Sequence, residues 1–252
     1  MRKPNLIVFM LTALWVMPVY ADEQVAISGD IGVFSQYVAR GLTYTAGKPV
    51  VQGDLVVSYG GLSVSTWFSN AYASPAPQYA GRDVVEFDWS LDYSGAAGAF
   101  NYAIGTTYYT YLYDSASNYP EAYLGLSYAA AITPTLVTYV AFADAHNKAV
   151  LAGDIWADFT LSVDAAGLTL SAGASYAHWV KDTVNRPNAD VFKSGLSVAS
   201  ASISKHMKVG DLILTASLKG TMPIIADSAD GNKYIYGLPA KNEVVFGLNL
   251  AY

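Results

Sequence analysis

The sequence predicts a transmembrane antiparallel β-barrel of about twelve strands, with both ends of the chain on the periplasmic side. Three observations support this fold class: an unusual composition, a series of short alternating segments, and a regular alternation of tight and long connections. Hydrophobic residues make up 53% of the chain and charged residues only 13%, whereas soluble domains carry about 25% charged residues. This deficit of charge indicates that much of the surface faces lipid.

The first 21 residues have the pattern of a secretory signal peptide. Arg2 and Lys3 precede an apolar run over residues 6–16, and small residues end at Ala21. A charged start, a short apolar middle and a small-residue cleavage site are the parts of such a peptide. We therefore expect residues 1–21 to be removed and residues 22–252 to form one outer-membrane barrel domain. The formal charge then changes from −6 to −8, because two cations and no acid are lost.

No later segment resembles an apolar helix of about 20 residues, which is the length that a membrane span requires. The chain also has no cysteine, so disulfides, thiolate metal sites and cysteine nucleophiles are excluded. In hydrocarbon, every backbone polar group must be paired within the protein, and the alternative to helices is a closed barrel. An exported protein facing lipid without apolar helices is therefore expected to be a barrel.

Alternation of apolar and polar residues marks the strands. In the stretch VEFDWSLDY at 85–93, Val, Phe, Trp, Leu and Tyr share one face and the acids and serine share the other. Membrane barrels place the apolar face toward lipid and the polar face toward the lumen. By this criterion we predict twelve strands, at 25–43, 49–59, 62–72, 83–93, 99–113, 120–130, 134–143, 151–163, 167–179, 191–205, 211–222 and 242–252.

The connections between these segments alternate in length. Tight joints lie at 60–61, 94–98, 132–134, 164–167 and 207–211, and longer polar joints lie at 74–82, 114–119, 144–150, 180–190 and 224–241. The first joint, around 45–48, is short for its set. Short periplasmic turns that alternate with longer extracellular loops are typical of outer-membrane barrels. A soluble sandwich or a soluble barrel, the alternatives, has no reason to follow this rule.

Aromatic residues concentrate near the predicted strand ends. Tyr108, Tyr109, Tyr111 and Tyr113 cluster at one loop end, and other aromatic residues near loop ends are Tyr72, Tyr119, Trp179, Tyr234 and Tyr236. Amphipathic rings favour the boundary between lipid and water, although tyrosine is also common in sheets generally. We expect aromatic girdles. The last stretch, EVVFGLNLAY, alternates up to Tyr252 and resembles the C-terminal signal that the outer-membrane assembly machinery recognises.

The stretch at 34–72 resembles the N-terminal signature of the TorF-like porin family of proteobacterial outer-membrane β-barrels. The matching motifs are Ser35 with Tyr37, Arg40 with Gly41, Pro49 to Gly53, Trp67 with Ser69 and Asn70, Glu86 with Asp88, and Tyr119 with Glu121. The similarity covers about the first half of the mature chain. It implies a barrel in the cell outer membrane and, by association, passive transport.

Alternation also assigns charged residues to the lumen. The predicted lumen and selectivity residues are Asp30, Arg40, Asp54, Glu86, Asp88, Asp92, Asp154 and Asp158, to which Asn249 and Lys219 are added. We place Arg40 on the first strand, within reach of acids on strands two to four, because a guanidinium can bridge carboxylates. These charges predict a small passive channel for ions or small polar solutes, with an acidic lumen. The alternative is a salt-bridged plug that transports nothing.

Two other functions are weighed against the channel. A barrel enzyme that modifies lipid needs a histidine within hydrogen-bond reach of its nucleophile, and none of His146, His178 and His206 has a serine two positions later. A cross-strand pair of His178 with a neighbouring serine stays open. The loops at 180–190 and 224–241 are candidates for binding an outside partner. We expect no enzyme activity, cofactor or metal, and no nucleic-acid partner, because the charge is negative.

Overall fold

The protein forms a closed antiparallel barrel of twelve long strands. The computed structural model describes residues 24–72, 84–180, 194–225, 227, 231–235 and 238–252, so the predicted signal peptide lies outside the described residues. The barrel strands are β1 (Ala26–Phe34), β4 (Val50–Tyr59), β5 (Leu62–Tyr72), β6 (Val84–Ala97), β7 (Phe100–Leu112), β8 (Tyr119–Tyr128), β9 (Thr133–Ala141), β10 (Ile155–Ala165), β11 (Leu168–His178), β12 (Gly195–Val209), β13 (Leu212–Pro223) and β16 (Glu243–Ala251).

Each barrel strand pairs with its neighbours along the chain, and β16 closes the barrel against β1. Closure leaves no open sheet edge, which is the condition for a sheet in hydrocarbon. Four short strands lie outside the barrel sheet: β2 (Val38–Ala39) pairs with β3 (Leu42–Thr43), and β14 (Tyr234–Ile235) pairs with β15 (Leu238–Pro239). Among the described residues, no helix is long and apolar enough to cross a membrane.

The alternation in sequence becomes an apolar outer surface and a polar inner one. Large apolar side chains are exposed at every second position of the barrel strands, because successive side chains of a strand point to opposite faces. An exposed apolar belt around a closed barrel is the surface that lipid covers. Its members include Ile31, Val33, Leu55, Val57, Val64, Leu91, Ile104, Leu124, Phe159, Leu161, Leu170, Ile203, Leu218, Phe246 and Leu248.

The two ends of the barrel differ. At one end, here called the turn end, strands are joined by tight turns, and Gly60 and Gly210 adopt positive φ values of 57° and 62° there, which glycine tolerates without strain. Strand β1 begins and β16 ends at this end. At the opposite end, the loop end, the connections are longer. Twelve strands are confirmed, and so are the tight turns and the longer connections at 114–119 and 144–150. The predicted loop at 74–82 and nearly all of the loop at 180–190 lie outside the described residues.

The first strand is an exception to the prediction. It ends at Phe34, not near residue 43, and residues 35–49 turn into the barrel and return to β4. We call this segment, which contains β2 and β3, the lumenal hairpin. Its residues Tyr37, Val38 and Leu42 are buried. The short first joint predicted near residues 45–48 is therefore wrong, since the connection is a folded insertion of 15 residues.

The lumenal hairpin gives the barrel a packed core in its loop half. Tyr37 stacks on Tyr44 with ring centroids 5.0 Å apart and lies 5.4 Å from the Trp67 ring of β5. Hairpin residues join two buried clusters that also include inward-facing side chains of β7, β8, β9, β10, β12 and β16. Alternation inside the hairpin is lost because both of its faces are covered by barrel wall.

The aromatic prediction holds only in part. Tyr108 and Tyr113 are exposed at the loop end, as a girdle requires, but Tyr109, Tyr111, Tyr119 and Trp179 are buried. Tyr109 and Tyr111 belong to the inward face of β7 and pack against the lumenal hairpin. The Tyr72 side chain and Tyr236 lie outside what the structure describes. Tyrosine residues therefore lie in the core of this barrel as well as in its outer belt.

Candidate functional site

The tip of the lumenal hairpin carries an arginine that is largely covered by the barrel wall. Arg40 and Gly41 have positive φ values of 48° and 80°, and this tight reversal between β2 and β3 aims the Arg40 side chain at β8. Its two terminal nitrogens donate to the two carboxylate oxygens of Glu121, at 2.8 Å for Nη1–Oε1 and 2.5 Å for Nη2–Oε2. The side chains are 9% and 3% exposed. The two residues thus form a desolvated bidentate ion pair. This is the geometry in which the arginine–carboxylate interaction is strongest.

Aromatic rings surround the same guanidinium. Its Cζ atom lies 5.0 Å from the centroid of the Tyr139 ring and 5.6 Å from that of the Trp156 ring. Positions within about 6 Å of a ring face are attractive for a cation. The Tyr109 hydroxyl donates to Glu121 Oε2 at 3.0 Å. Contacts to β8, β9 and β10 therefore fix the hairpin tip against the wall, and β7 holds Glu121 in place through Tyr109.

A second group of acids lies beside this ion pair. The hydroxyls of Tyr37 and Tyr111 donate to Glu86, and Asp88 lies within electrostatic reach of both Glu86 and Glu121. Burial, and after it the charge of Glu86, raises the pKa of the Tyr37 hydroxyl well above its ordinary value. Tyr37 therefore stays protonated and can donate.

The acids of this group outnumber their positive partner. Both Glu86 and Asp88 are buried, and one carboxylate oxygen of each lacks a hydrogen-bond partner. Three carboxylates, including that of Glu121, thus share the single guanidinium of Arg40. Burial and mutual repulsion disfavour ionisation of all three carboxyls at the same time.

The base of the hairpin is held by a glutamine. Gln36 Nε2 donates to Glu243 Oε2 and to the carbonyl of Val244, both at 2.9 Å. Gln36 Oε1 accepts from the Thr43 hydroxyl at 3.0 Å. The hairpin is therefore bound to the start of β16 at its base and to β8 at its tip. It crosses the loop half of the lumen between these two anchors.

The turn half of the lumen has a different lining. Inward positions there are occupied mainly by small hydroxyl residues that are partly exposed although they face inward: Ser28, Ser58, Ser63, Ser65, Ser90, Ser171, Ser202, Ser204 and Ser217. Many are cross-strand neighbours, for example Ser65 with Ser90 and Ser171 with Ser202. Small side chains leave room inside a twelve-stranded barrel, and hydroxyls bind water. This half is the polar and less densely packed part of the lumen.

Most of the predicted lumen residues do face inward. Asp54, Glu86, Asp88 and Asp92 lie on inward positions of β4 and β6, and Asp30 lies opposite Asp54 on β1. Asp158 accepts hydrogen bonds from Trp156 Nε1 at 2.9 Å and from the Ser175 hydroxyl at 2.5 Å. The charge of Asp158 acts on Lys219 of β13. Acids therefore dominate one wall, that of β1, β4 and β6.

Two of the predicted residues need correction. Arg40 lies on the lumenal hairpin, not on the first strand, and its partner is Glu121 of β8 and not an acid of strands two to four. Asp154 precedes β10, and its carboxylate accepts from the backbone N–H groups of Leu151 and Val180, each at 2.9 Å. Asp154 thus organises the loop end and does not line the lumen.

Sequence reasoning missed the residues that hold the hairpin. Glu121 was matched only as part of a motif, and Glu243 and Gln36 were not singled out. The signal for Glu121 was present, because Tyr119, Glu121 and Tyr123 alternate with Pro120, Ala122 and Leu124 on the predicted sixth strand. Nothing local marks Gln36, since its partner lies 207 positions away.

The histidines of the described residues do not form a catalytic arrangement with a serine and a carboxylate. The His178 Nδ1 atom lies 3.5 Å from the Ser194 hydroxyl on the exposed loop end, which is the cross-strand serine pair left open by the sequence. That hydroxyl already accepts from the Trp179 N–H at 3.0 Å, and no carboxylate of the described residues contacts His178. His206 binds the Thr215 hydroxyl at 2.9 Å. The described ranges contain no group of three or more His, Cys, Asp or Glu residues placed to hold a metal ion.

A closed antiparallel barrel with an apolar belt and a polar lumen has the architecture of outer-membrane β-barrel proteins. The chain belongs to a family of bacterial proteins of unknown function, Gcw_chp, whose model matches residues 19–210. No curated protein matches the sequence. The family description carries no TorF-like name, so that resemblance stays an interpretation of the motifs.

Solved structures of outer-membrane proteins are similar to this chain at low identity. An outer-membrane channel from Pseudomonas putida F1 superposes with a TM-score of 0.51 at 10% identity, over 89% of this chain and 94% of the channel. LpxR from Salmonella typhimurium gives a TM-score of 0.44 at 8% identity, over 89% and 99% of the two chains. The outer-membrane channel DcaP of Acinetobacter baumannii gives 0.37 at 10% identity, over 94% and 99%.

Proposed function

We propose that this protein is a narrow passive channel of the cell outer membrane that passes small cations and small polar solutes. The observation that carries the proposal is the lining of the turn half, where inward serines remain partly exposed inside a closed barrel. A barrel whose only role was structural would have no need of a hydrated interior. Polar pore linings of this kind set what can pass.

The charge of the lumen supports a preference for cations. Acids on β1, β4 and β6 face inward, whereas the cations on inward positions of the described barrel strands are Lys219 and, at the turn end, Lys208. Arg40 of the hairpin is engaged by Glu121. A low-dielectric wall focuses the field of such charges and raises the local concentration of counter-ions. Anions are expected to be disfavoured for the same reason.

The lumenal hairpin sets the width of the proposed channel. It occupies the loop half and is anchored at Gln36 and Arg40, so solutes must pass beside it. Its dense packing suits small solutes and excludes large ones. A plugged barrel that transports nothing would contain the same hairpin. The experiment must therefore distinguish a channel from a plugged barrel.

Planar-bilayer recording on purified protein tests the proposal. We expect discrete conductance steps and, under a KCl gradient, a reversal potential that shows cation preference. Swelling of proteoliposomes in small polyols measures neutral solutes in parallel. Conductance no greater than that of protein-free bilayers, together with no swelling, would overturn the channel and leave the plugged barrel.

A further inference from the structure

Two acids face each other on neighbouring strands in the middle of the lumen wall. Asp30 of β1 and Asp54 of β4 are directly opposite in the register, and both side chains point inward. Cross-strand partners have Cβ atoms about 5 Å apart, and like charges in this position are destabilising. The charge of Asp30 acts on Asp54 accordingly.

No positive side chain compensates this pair. Neither carboxylate forms an ion pair with a lysine, arginine or histidine among the described residues. Arg40 is bound to Glu121, and the charge that acts on Lys219 is that of Asp158. Two carboxyl groups without a cationic partner therefore stand side by side on this wall.

A buried amide oxygen lies beside the same acids. The Asn249 side chain of β16 hydrogen-bonds to Asp30, and Asn249 is 6% exposed while its Oδ1 atom has no partner. Oδ1 therefore belongs to an amide that contacts the Asp30 side chain. An unpaired buried polar atom calls for an explanation such as a bound ion or water.

The surroundings leave one side of this group accessible. Gly32 is the next inward residue of β1, and the Phe34 ring lies over it, which covers the side toward the loop end. Asp30 and Asp54 remain partly exposed, and the serine-lined turn half begins next to them. An ion can therefore approach from the turn end.

We propose that Asp30, Asp54 and Asn249 form a cation site that takes a hard divalent ion, for which Ca²⁺ is the best match. Two carboxylates balance a charge of +2, and carboxylate and amide oxygens are the ligands that Ca²⁺ prefers, with water completing the shell. The cation site rests on the proposed function in one respect: both require that water reaches the acidic lumen wall. The site does not require that ions pass through the barrel.

Trp67 provides a spectroscopic reporter for this site. It is the register partner of Asp54 on β5 and faces the lumen. Tb³⁺ replaces Ca²⁺ at oxygen sites and emits light when a nearby tryptophan is excited. We expect saturable, Trp-sensitised Tb³⁺ emission from purified protein in detergent, which Ca²⁺ displaces. Trp67→Phe is expected to reduce the emission while calorimetry still detects Ca²⁺ binding.

Variants of the acids test the ligands. Asp30→Asn and Asp54→Asn keep the side-chain shape, and each is expected to weaken Ca²⁺ binding at least ten-fold, whereas Asp211→Asn at the exposed turn end leaves it unchanged. Because the amides also remove repulsion, both variants should fold, with a higher melting temperature in chelator and no further rise on adding Ca²⁺.

Absence of saturable binding to the wild-type protein, or equal affinity in Asp30→Asn and wild type, would overturn the site. The bilayer experiment is independent of this result. Saturable Ca²⁺ binding without conductance would refute the channel proposal and support the cation site. Conductance without Ca²⁺ binding would refute the cation site and support the channel.

Discussion

Arg40 and Glu121 lie 81 positions apart in the chain, yet their side chains form a bidentate ion pair in the lumen. Both are buried, and Tyr139, Trp156 and Tyr109 complete the surroundings. The pair joins the tip of the lumenal hairpin to the barrel wall. The pair is one of the two polar anchors of the hairpin, and it can be removed by substituting Arg40, which lies outside the barrel strands.

Arg40→Ala is expected to release the tip of the hairpin. Removing one partner of a buried ion pair costs about 3 to 5 kcal/mol, because the other charge is left buried and unpaired. Urea unfolding in lipid vesicles measures this loss, and single-channel conductance should rise. Lys148→Ala is the control, since it breaks an exposed pair with Asp144, and such pairs contribute about 0 to 1 kcal/mol. Equal effects of the two variants would refute the anchoring role.

Replacing both partners together should be much less harmful. In Arg40→Leu/Glu121→Leu, no buried charge is left without a partner, and apolar replacements of a buried pair are often close to neutral. We expect the double variant to regain most of the stability that Arg40→Leu alone loses. A double-mutant cycle in urea gives the coupling free energy. Strict additivity of the two single variants would show that the ion pair contributes nothing specific.

Two glycines of the hairpin offer a matched comparison. Gly41 and Gly47 have φ values of 80° and 77°, so an alanine is strained by about 1 to 2 kcal/mol at either position. Only at Gly41 does an added Cβ meet other side chains, at 2.6 Å from Val198 and 3.0 Å from Ile235. Gly41→Ala should therefore be less stable than Gly47→Ala by about 1 to 3 kcal/mol, measured as the difference in free energy of unfolding. If the two variants match, the tip is not closely packed.

Neutralising the acids under the hairpin should change ion selectivity. Glu86→Gln and Asp88→Asn each remove an ionisable carboxyl from the buried group beside Arg40. Burial disfavours the charged form of such carboxyls, so the comparison is made at alkaline pH. We expect the ratio of K⁺ to Cl⁻ permeability to fall by at least two-fold in each variant. Reversal potentials under a KCl gradient measure the ratio, with Asp211→Asn as the control. Unchanged ratios would remove these two residues from the selectivity set.

The barrel itself was predictable because its determinants are local. Alternation over about ten residues assigns a strand and both of its faces, and the tight turns carry their own glycines. Asp30, Asp54, Glu86, Asp88 and Asp92 were accordingly placed on the correct face. These assignments need no knowledge of which strands meet.

The lumenal hairpin was not predictable on the same basis. Residues 35–49 follow an alternating strand and contain buried apolar residues on both faces, which depends on the wall that surrounds them. The partner of Arg40 could not be read from spacing, because Glu121 lies on a strand five positions around the barrel from β1. Asp154 looked like a strand residue, yet it binds backbone N–H groups at the loop end.

The position of the lumenal hairpin also has a consequence for the order of folding. The hairpin follows the first strand in the chain, but its contacts Glu121, Tyr139, Trp156 and Val198 all come from much later strands. Contacts of such high sequence separation form late and slow folding, because a long loop must be closed first. The lumenal hairpin is synthesised early, and it therefore stays unpacked until the later strands have formed the barrel wall around it. Pairing of β16 with β1, next to the Gln36 anchor on Glu243, then traps it inside.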